Sequence, residues 1–398
     1  MAKKLEEIKE EECTYELPEG WKWEKLGKCV NLSANKTELF LYSTKYVGLE
    51  NIEKDTGIIK YEIGAELKSI KNVFVEGQIL YGKLRPYLNK HGIAKFKGVC
   101  STDILVFSAN NDVSNKWVDY YFNMPSFISY AISNSTGINL PRVNSKSILS
   151  YVIPIPPKET QQKIVDIIES LFAKLDIAQE KVEQVLAESE NRRSAILHNA
   201  FSGKLTEKWR EENNVSFNTW KNVKISDIFS LKAGKTMSAK NISDTCDEIN
   251  KYECYGGNGI RGYVESFNKE GEHPIIGRQG ALCGNIHLAI GKFYATEHAV
   301  VVDYLYEIDT TWAVENLRFL NLNQYSASVA QPGLAVKKIM EVPITFPTYE
   351  EQREIGNLLC KFLSVEDKVK STCQSTLEVI ATMRKSILAK AFRGELCS

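Results

Sequence analysis

The chain has 398 residues, 43% of them hydrophobic and 25% charged. Those proportions exclude wholesale disorder, and the length holds two to four domains with cores of their own. Lys+Arg and Asp+Glu number 50 each, which excludes a uniformly basic nucleic-acid binder and leaves room for a local basic surface. No apolar run of about 18 residues marks a membrane span, so no membrane partner is expected. The charged stretch Met1 to Glu12 does not read as a secretory signal. Nine cysteines, odd in number and without a CxxC pair, favour neither a disulfide framework nor a zinc site, so a reducing, cytoplasmic setting is expected.

Taken in chain order, an arm (1–17) precedes a first module (18–153). Its short apolar runs Val73-Phe74-Val75, Ile79-Leu80-Tyr81 and Ile104-Leu105-Val106-Phe107 alternate with Gly and Asn turns and predict strands. A helical patch follows at 116–132. The segment 154–215 then predicts one long helix that opens after Pro157, with Glu159 in its first turn and Gly203 at its C-cap. Apolar residues Ile164, Ile168, Leu171, Leu175, Val182 and Val185 trace a heptad seam along it. A second module (216–343) predicts strands at Pro274-Ile275-Ile276 and Ala299-Val300-Val301-Val302 and a helical patch at 312–324. The segment 344–398 predicts another long helix. Its seam is Ile355, Leu359, Phe362, Val369, Cys373 and Ile380, interrupted at Glu366, and Gly394 takes the C-cap.

The chain repeats itself. Ile153-Pro154-Ile155-Pro156-Pro157-Lys158-Glu159-Thr160-Gln161-Gln162 aligns with Ile344-Thr345-Phe346-Pro347-Thr348-Tyr349-Glu350-Glu351-Gln352-Arg353 at an offset of 191. The same offset, without a gap, brings Ile196-Leu197-His198-Asn199-Ala200-Phe201-Ser202-Gly203 onto Ile387-Leu388-Ala389-Lys390-Ala391-Phe392-Arg393-Gly394. Trp21-Lys22 echoes Trp220-Lys221. Lys4-Leu5 before Trp21 echoes Lys204-Leu205 before Trp220, which suggests that the arm continues the second helix. A rod of about 42 residues is roughly 63 Å long and cannot bury its apolar stripe on itself, so its own copy is the expected partner. The fold expected is α+β: two similar mixed α/β modules separated by two long helices that form an antiparallel coiled coil, a pseudo-two-fold internal repeat.

Chemistry-bearing motifs are sparse. Gly257-Asn258-Gly259-Ile260-Arg261-Gly262 fits GxGxxG, but Tyr263-Val264-Glu265-Ser266-Phe267 alternates like a strand where a dinucleotide motif opens a helix, so a β-hairpin is expected. Gly234-Lys235-Thr236 lacks the upstream glycine of a P-loop. Five histidines show no metal-ligand spacing, and there is no HExxH or Gly-x-Ser-x-Gly; no catalytic or metal residue is assigned. What remains is a charge asymmetry. The first module carries 17 basic and 12 acidic residues, a net of +5, and the second is near −1. Lys83, Arg85, Tyr87, Lys90 and His91 share one loop of the first module, and Arg142 follows an Asn-Leu-Pro turn. The matching region of the second module carries Arg278 and Gln279, with Arg261 and Lys292 as further basic candidates. Arg suits guanine and Gln suits adenine in the major groove, and Lys suits phosphate. These ten residues are the candidate DNA contacts.

The sequence resembles the DNA-specificity subunits of type I restriction-modification systems. The resemblance is carried by Leu17-Pro18-Glu19-Gly20-Trp21-Lys22, Gly77-Gln78-Ile79-Leu80-Tyr81-Gly82-Lys83-Leu84-Arg85-Pro86, Ile155 to Ile164 and the doubled Ile196–Leu205 and Ile387–Leu396 tails. It implies a non-catalytic subunit whose two target recognition domains each read half of a split, asymmetric site on double-stranded DNA. The helices would act as the spacer and dock two methyltransferase (modification) subunits. It implies no cofactor in this chain. S-adenosylmethionine would sit in the methyltransferase subunits, and ATP and Mg²⁺ in motor-nuclease (restriction) subunits. A neutral chain is expected to bind DNA tightly only in that assembly, because phosphate neutralisation supplies most of the affinity. Helix length is expected to set the gap between half-sites. Two other readings are an interaction scaffold that never touches DNA and a nuclease with a carboxylate–lysine site. Dispersed positions of Lys83, Arg85, Arg142, Arg278 and Gln279 would favour the first, and cleavage or methylation by the chain alone the second.

Overall fold

The computed structural model describes residues 8, 13–54, 57–63, 67, 69–280, 282–326 and 333–396. Two compact units emerge, 1–182 with 375–398, and 183–374. The divisions fall inside the long helices because each module's core takes in one half of both. The arm's Lys4-Leu5 echo lies outside the described residues. No helix of the described residues is long and apolar enough to cross a membrane.

In the first unit, strand Lys22–Lys25 pairs antiparallel with Val152–Ile155, so the two ends of the module are stapled together. Between them, besides a two-stranded hairpin, lie two larger sheets. One has four strands in the order Val30–Leu32, Ile104–Ala109, Ile79–Gly82, His91–Ile93; the other has five, Lys36–Thr37, Lys71–Phe74, Gly98–Cys100, Lys45–Val47, Glu62–Ile63. Helices Asn115–Tyr121 and Pro125–Ser133 cover the first sheet. Trp117, fully buried, donates its indole N–H to the Pro154 carbonyl at 3.0 Å and meets Phe392 edge-on at 4.7 Å. One core therefore joins Leu26, Trp117 and Phe127 to Ile164, Val165 and Ile168 of the first long helix and to Leu388, Ala391 and Phe392 of the second. The Tyr15 hydroxyl donates to the Phe392 carbonyl at 2.8 Å, satisfying one of the carbonyls a helix end leaves open.

The second unit repeats the plan. Lys221–Lys224 pairs with Pro343–Phe346. A six-stranded sheet runs Phe229–Ala233, Ala299–Tyr304, Lys269–Gly277, Ile286–Ala295, Tyr252–Gly256, Gly259–Val264. The would-be nucleotide loop is the tight turn of the Tyr252–Gly256/Gly259–Val264 hairpin. Trp312 takes the place of Trp117, in the helix Thr310–Phe319. The 191-residue offset has a physical counterpart in two fully buried glutamines. Gln161 accepts from the Ser114 N–H (2.9 Å) and donates to the Pro156 carbonyl (2.9 Å). Gln352 accepts from the Asp309 N–H (3.1 Å) and donates to the Pro347 carbonyl (2.9 Å). Each carboxamide satisfies backbone groups where strand, loop and long helix converge, which apolar side chains cannot do.

The long helices are Lys158–Phe201 and Tyr349–Phe392. They end at Gly203 (φ +81°) and Gly394 (φ +80°), left-handed positions that glycine takes without strain. Within each unit the halves run antiparallel as a coiled coil. Arg384 pairs with Asp176 in the first unit. Arg193 pairs with Asp367 at 3.2 Å and Lys370 with Glu190 at 3.0 Å in the second. Ile164, Ile168, Leu175, Ile355, Leu359, Cys373 and Ile380 are buried, and Leu171, Val182 and Val369 partly so. Two predicted seam positions need correction. Val185 and Phe362 are exposed, and Ser189 and Leu363 are buried in their stretches. Ile168, Leu175, Val182 and Ser189, and Leu359, Glu366, Cys373 and Ile380, keep a seven-residue spacing, so that line of the seam persists and only its companion line turns outward along the helix.

The apparent interruption is thus a member of the seam, seven residues from both Leu359 and Cys373. Glu366 is nearly buried; it accepts from Ser189 Oγ at 2.7 Å and from Arg192 Nε at 2.9 Å. Arg192, then the Ser189 hydroxyl, hold the carboxyl below its ordinary 4.5. A depressed carboxylate pKa contributes stability that is full above the ordinary value and is lost as pH falls through the lowered one. Glu366→Gln is therefore expected to flatten the acid limb of the second unit's stability below pH 4.5, followed by urea titrations from neutral to acid pH. An unchanged slope would show that this carboxylate is not linked to folding.

Candidate nucleic-acid interface

In the first unit, the strand Ile79–Gly82 runs out into Lys83, and three backbone bonds fix the turn beyond it. The Lys83 N–H donates to the Asp103 carbonyl (2.8 Å), the Lys83 carbonyl accepts from Val143 N–H (3.1 Å), and the Arg85 N–H donates to the Pro141 carbonyl (2.7 Å). Leu84 bridges Arg142. Arg142 lies on a small hairpin, Ser135–Thr136 against Arg142–Val143, whose tip is 137–141. Its guanidinium is half exposed and donates to the Asp103 carboxylate at 2.9 Å, which orients it without covering it. Lys83, Arg85, Tyr87 and Arg142 are thus gathered where the loop meets the hairpin, with Arg85, Tyr87 and Arg142 exposed and Lys83 partly so.

Arg85 has φ +52° and ψ +64°, a left-handed conformation that costs a non-glycine residue roughly 1–2 kcal/mol. The loop has a second such position at Asn89 (φ +42°), where asparagine is tolerated. Arginine has no such excuse, and strain of this kind concentrates at functional sites.

Two predicted contacts of this loop are corrected. His91 is 2% exposed. Its ring bonds Asp119 at 2.7 Å and Asn123 at 3.2 Å, and stacks on Tyr81. It is a core group under the loop, because its position in a strand beside Ile79–Gly82 turns the ring toward the covering helix. Lys90 is half-buried and donates to the Leu49 carbonyl at 2.7 Å, so it holds the loop to the neighbouring 3₁₀ turn.

The second unit builds the same strand end with other side chains. The Arg278 N–H donates to the His298 carbonyl (2.9 Å), the Arg278 carbonyl accepts from Leu334 N–H (2.9 Å), and Gln279 bridges Gly333. Lys83, Leu84 and Arg85 thus correspond to Arg278, Gln279 and Gly280, and Gly280 (φ +93°) takes the left-handed position that Arg85 occupies. Gln279 and Arg261 are exposed and Arg278 partly so. The hairpin turn lies against this loop: a Cβ added to Gly257 would sit 2.7 Å from the Gln279 carbonyl oxygen, so only glycine permits the approach. His287 borders the same turn, and burial, aided by Arg318, lowers its imidazole below the ordinary 6.5, leaving it neutral at pH 7. Lys292 does not join the group. It pairs with Glu270 six residues along the strand from Ile276, roughly 20 Å away, and its ammonium lies 4.8 Å over the Phe267 ring.

Sequence reasoning missed Asp103 and, though it marked the Asn139-Leu140-Pro141 turn, the hairpin which that turn closes. Neither carries a motif, since Asp103 matters only through a strand register that brings it beside Arg142. Among the described residues no group of three or more His, Cys, Asp or Glu could hold a metal ion.

Two modules, each stapled onto a helix pair and each ending a strand in a polar or basic turn, define a duplicated recognition protein. A family model described as "Type I restriction modification DNA specificity domain" matches residues 18–187 and 218–378, and the chain belongs to that family. It is similar to the Type I restriction enzyme EcoprrI specificity subunit of Escherichia coli, 46% identical over 155 residues, 37% of this chain and 39% of that protein. It is also similar to the EcoDI specificity subunit of Escherichia coli, 32% identical over 201 residues, 50% of this chain and 45% of that protein. The EcoKI specificity subunit of Escherichia coli strain K12 is 24% identical over 326 residues, 76% of this chain and 68% of that protein. The chain thus spans less than half the length of the first two. The fold is shared with a chain solved in work on complex assembly and conformational transition of the type I R-M system (TM-score 0.80, 19% identity, 96% of this chain and 100% of that one). It is also shared with the HsdS subunit from Thermoanaerobacter tengcongensis (TM-score 0.62, 19% identity, 96% and 99%).

Proposed function

We propose that this chain is a specificity subunit of a type I restriction-modification complex, reading a split, asymmetric site on double-stranded DNA with one half-site per module. The observation that carries the reading is the duplicated strand end. Two matching backbone hydrogen bonds and a matching bridge present Lys83-Leu84-Arg85 in one module and Arg278-Gln279-Gly280 in the other. One scaffold with two sets of side chains specifies two unlike half-sites. Lys83, Arg85, Tyr87 and Arg142 are the contacts assigned to the first, and Arg278, Gln279 and Arg261 to the second. The chain itself is non-catalytic in this reading. The helices dock two methyltransferase subunits that hold S-adenosylmethionine, and motor-nuclease subunits supply ATP- and Mg²⁺-dependent cleavage. The family, and the relatives named as restriction enzyme specificity subunits, support this assignment.

The test is methylation-sensitive sequencing of DNA from cells expressing the chain with its methyltransferase. One split motif is expected, with different halves. Replacing residues 18–153 by the corresponding module of another such subunit should change one half and leave the other and the gap intact. Loss of both halves together, or no change in either, would remove the one-module, one-half-site assignment.

A further inference from the structure

The apolar side chains at the tip of the Ser135–Val143 hairpin take no part in the core. Ile138 is 99% exposed and Leu140 51%, and neither joins a core cluster of the described residues. Ile138 and Leu140 leave two apolar side chains open to a partner. The surroundings indicate which. Pro141, next to Leu140, accepts the Arg85 N–H at 2.7 Å. Arg142, at the base of the tip, is held by Asp103, and the module carries a net charge of +5. An apolar tip beside two exposed arginines suits a surface that is anionic at its rim and carries isolated methyl groups within. The major groove of a duplex is such a surface, where thymine alone presents a C5-methyl group.

We propose that Ile138 and Leu140 are specificity-determining residues that pack on thymine methyl groups in the first half-site, beside bases contacted by Arg85 and Arg142. The inference rests on the DNA-reading function proposed above and adds to it. The first half-site must contain at least one A·T pair, and part of its recognition must be apolar. Gly137 (φ +101°) turns the chain into the tip, so the loop can enter a groove with its apolar side chains leading.

The experiment uses the full chain in its methyltransferase complex, with duplexes carrying the motif found by methylation sequencing. Each thymine of the first half-site is replaced in turn by deoxyuridine, which removes only the methyl group. At one or two positions the wild-type complex should lose about fourfold in affinity, the value of one buried methyl-sized group. Ile138→Ala with Leu140→Ala should weaken binding to thymine DNA and make the complex indifferent to deoxyuridine at those positions, with thermal stability unchanged. A first half-site without A·T pairs, a wild-type complex indifferent to every deoxyuridine, or a variant as sensitive as wild type would each overturn the proposal. So would a variant defect that proves to be lost methyltransferase binding. Competition with a scrambled duplex separates the two levels. If the wild-type complex binds the motif no better than the scrambled sequence, the DNA-reading function has failed; if it prefers the motif while the methyl scan is flat, only the thymine contact has failed.

Discussion

Glu351→Ala is expected to destabilise the second unit by about 3–5 kcal/mol, the range for stranding one member of a buried ion pair. The carboxylate is fully buried and accepts three bonds: from Thr206 Oγ1 at 2.7 Å, from Arg210 Nη1 at 2.5 Å and from Trp220 Nε1 at 2.8 Å. Arg210 is itself buried, and its other contacts, the Gly203 carbonyl, the Thr206 hydroxyl and the Phe217 ring, carry no net charge. Without Glu351 its guanidinium is left charged in a dry site. An exposed pair would change stability by only about 0–1 kcal/mol, so the two cases are well separated. Against a typical total of about 5–15 kcal/mol, the expected loss removes much of the margin. The double change Glu351→Leu with Arg210→Met should recover part of it, because it removes the stranded charge while the Thr206 hydroxyl and Trp220 indole N–H still lose their acceptor. Urea denaturation of the three proteins measures both effects. A Glu351→Ala protein within about 1 kcal/mol of wild type, the exposed-pair range, would show that water reaches the pair.

The position of Glu351 illustrates what could be read before the fold was known. The ungapped 191-residue offset located both long helices, their proline-led starts and their glycine caps, because helix periodicity and capping are local. The runs Ile79–Tyr81, Ile104–Phe107, Pro274–Ile276 and Ala299–Val302 all lie in strands. Charged residues were harder. Glu366 looked like a break in a seam, and Glu351 stood out only as one position of the repeat; each is satisfied by side chains more than 100 residues away. His91 and Lys292 carry the right chemistry for DNA, and only strand register reveals that one faces the core and the other sits far from Arg278. The correspondence of Lys83 with Arg278 rests on equal spacing to the next strand, yet Asp103 and His298, which make it visible, share no chemistry.

Arg85→Gly is expected to part stability from recognition. The residue sits at φ +52°, and glycine would relieve roughly 1–2 kcal/mol of left-handed strain, offset by about 0.5–1 kcal/mol of extra freedom in the unfolded chain. The folded protein should therefore be as stable as wild type or slightly more so. The equivalent turn of the second unit already holds Gly280 at φ +93°, which shows that the backbone shape needs no arginine. DNA binding should move the other way. A guanidinium making two hydrogen bonds to guanine contributes about 1–3 kcal/mol of base discrimination, roughly a 5–150-fold loss at one position of the first half-site and none at the second. Arg85→Ala is the control: it removes the same side chain, keeps the strain, and should match Arg85→Gly in binding while melting lower. Thermal melts and competition binding against single-base variants of the site give both readouts. If Arg85→Gly bound every variant as wild type does, the strained arginine would have no part in reading DNA. If it unfolded early, the left-handed turn would be held by the arginine's packing, and its strain would carry no functional meaning.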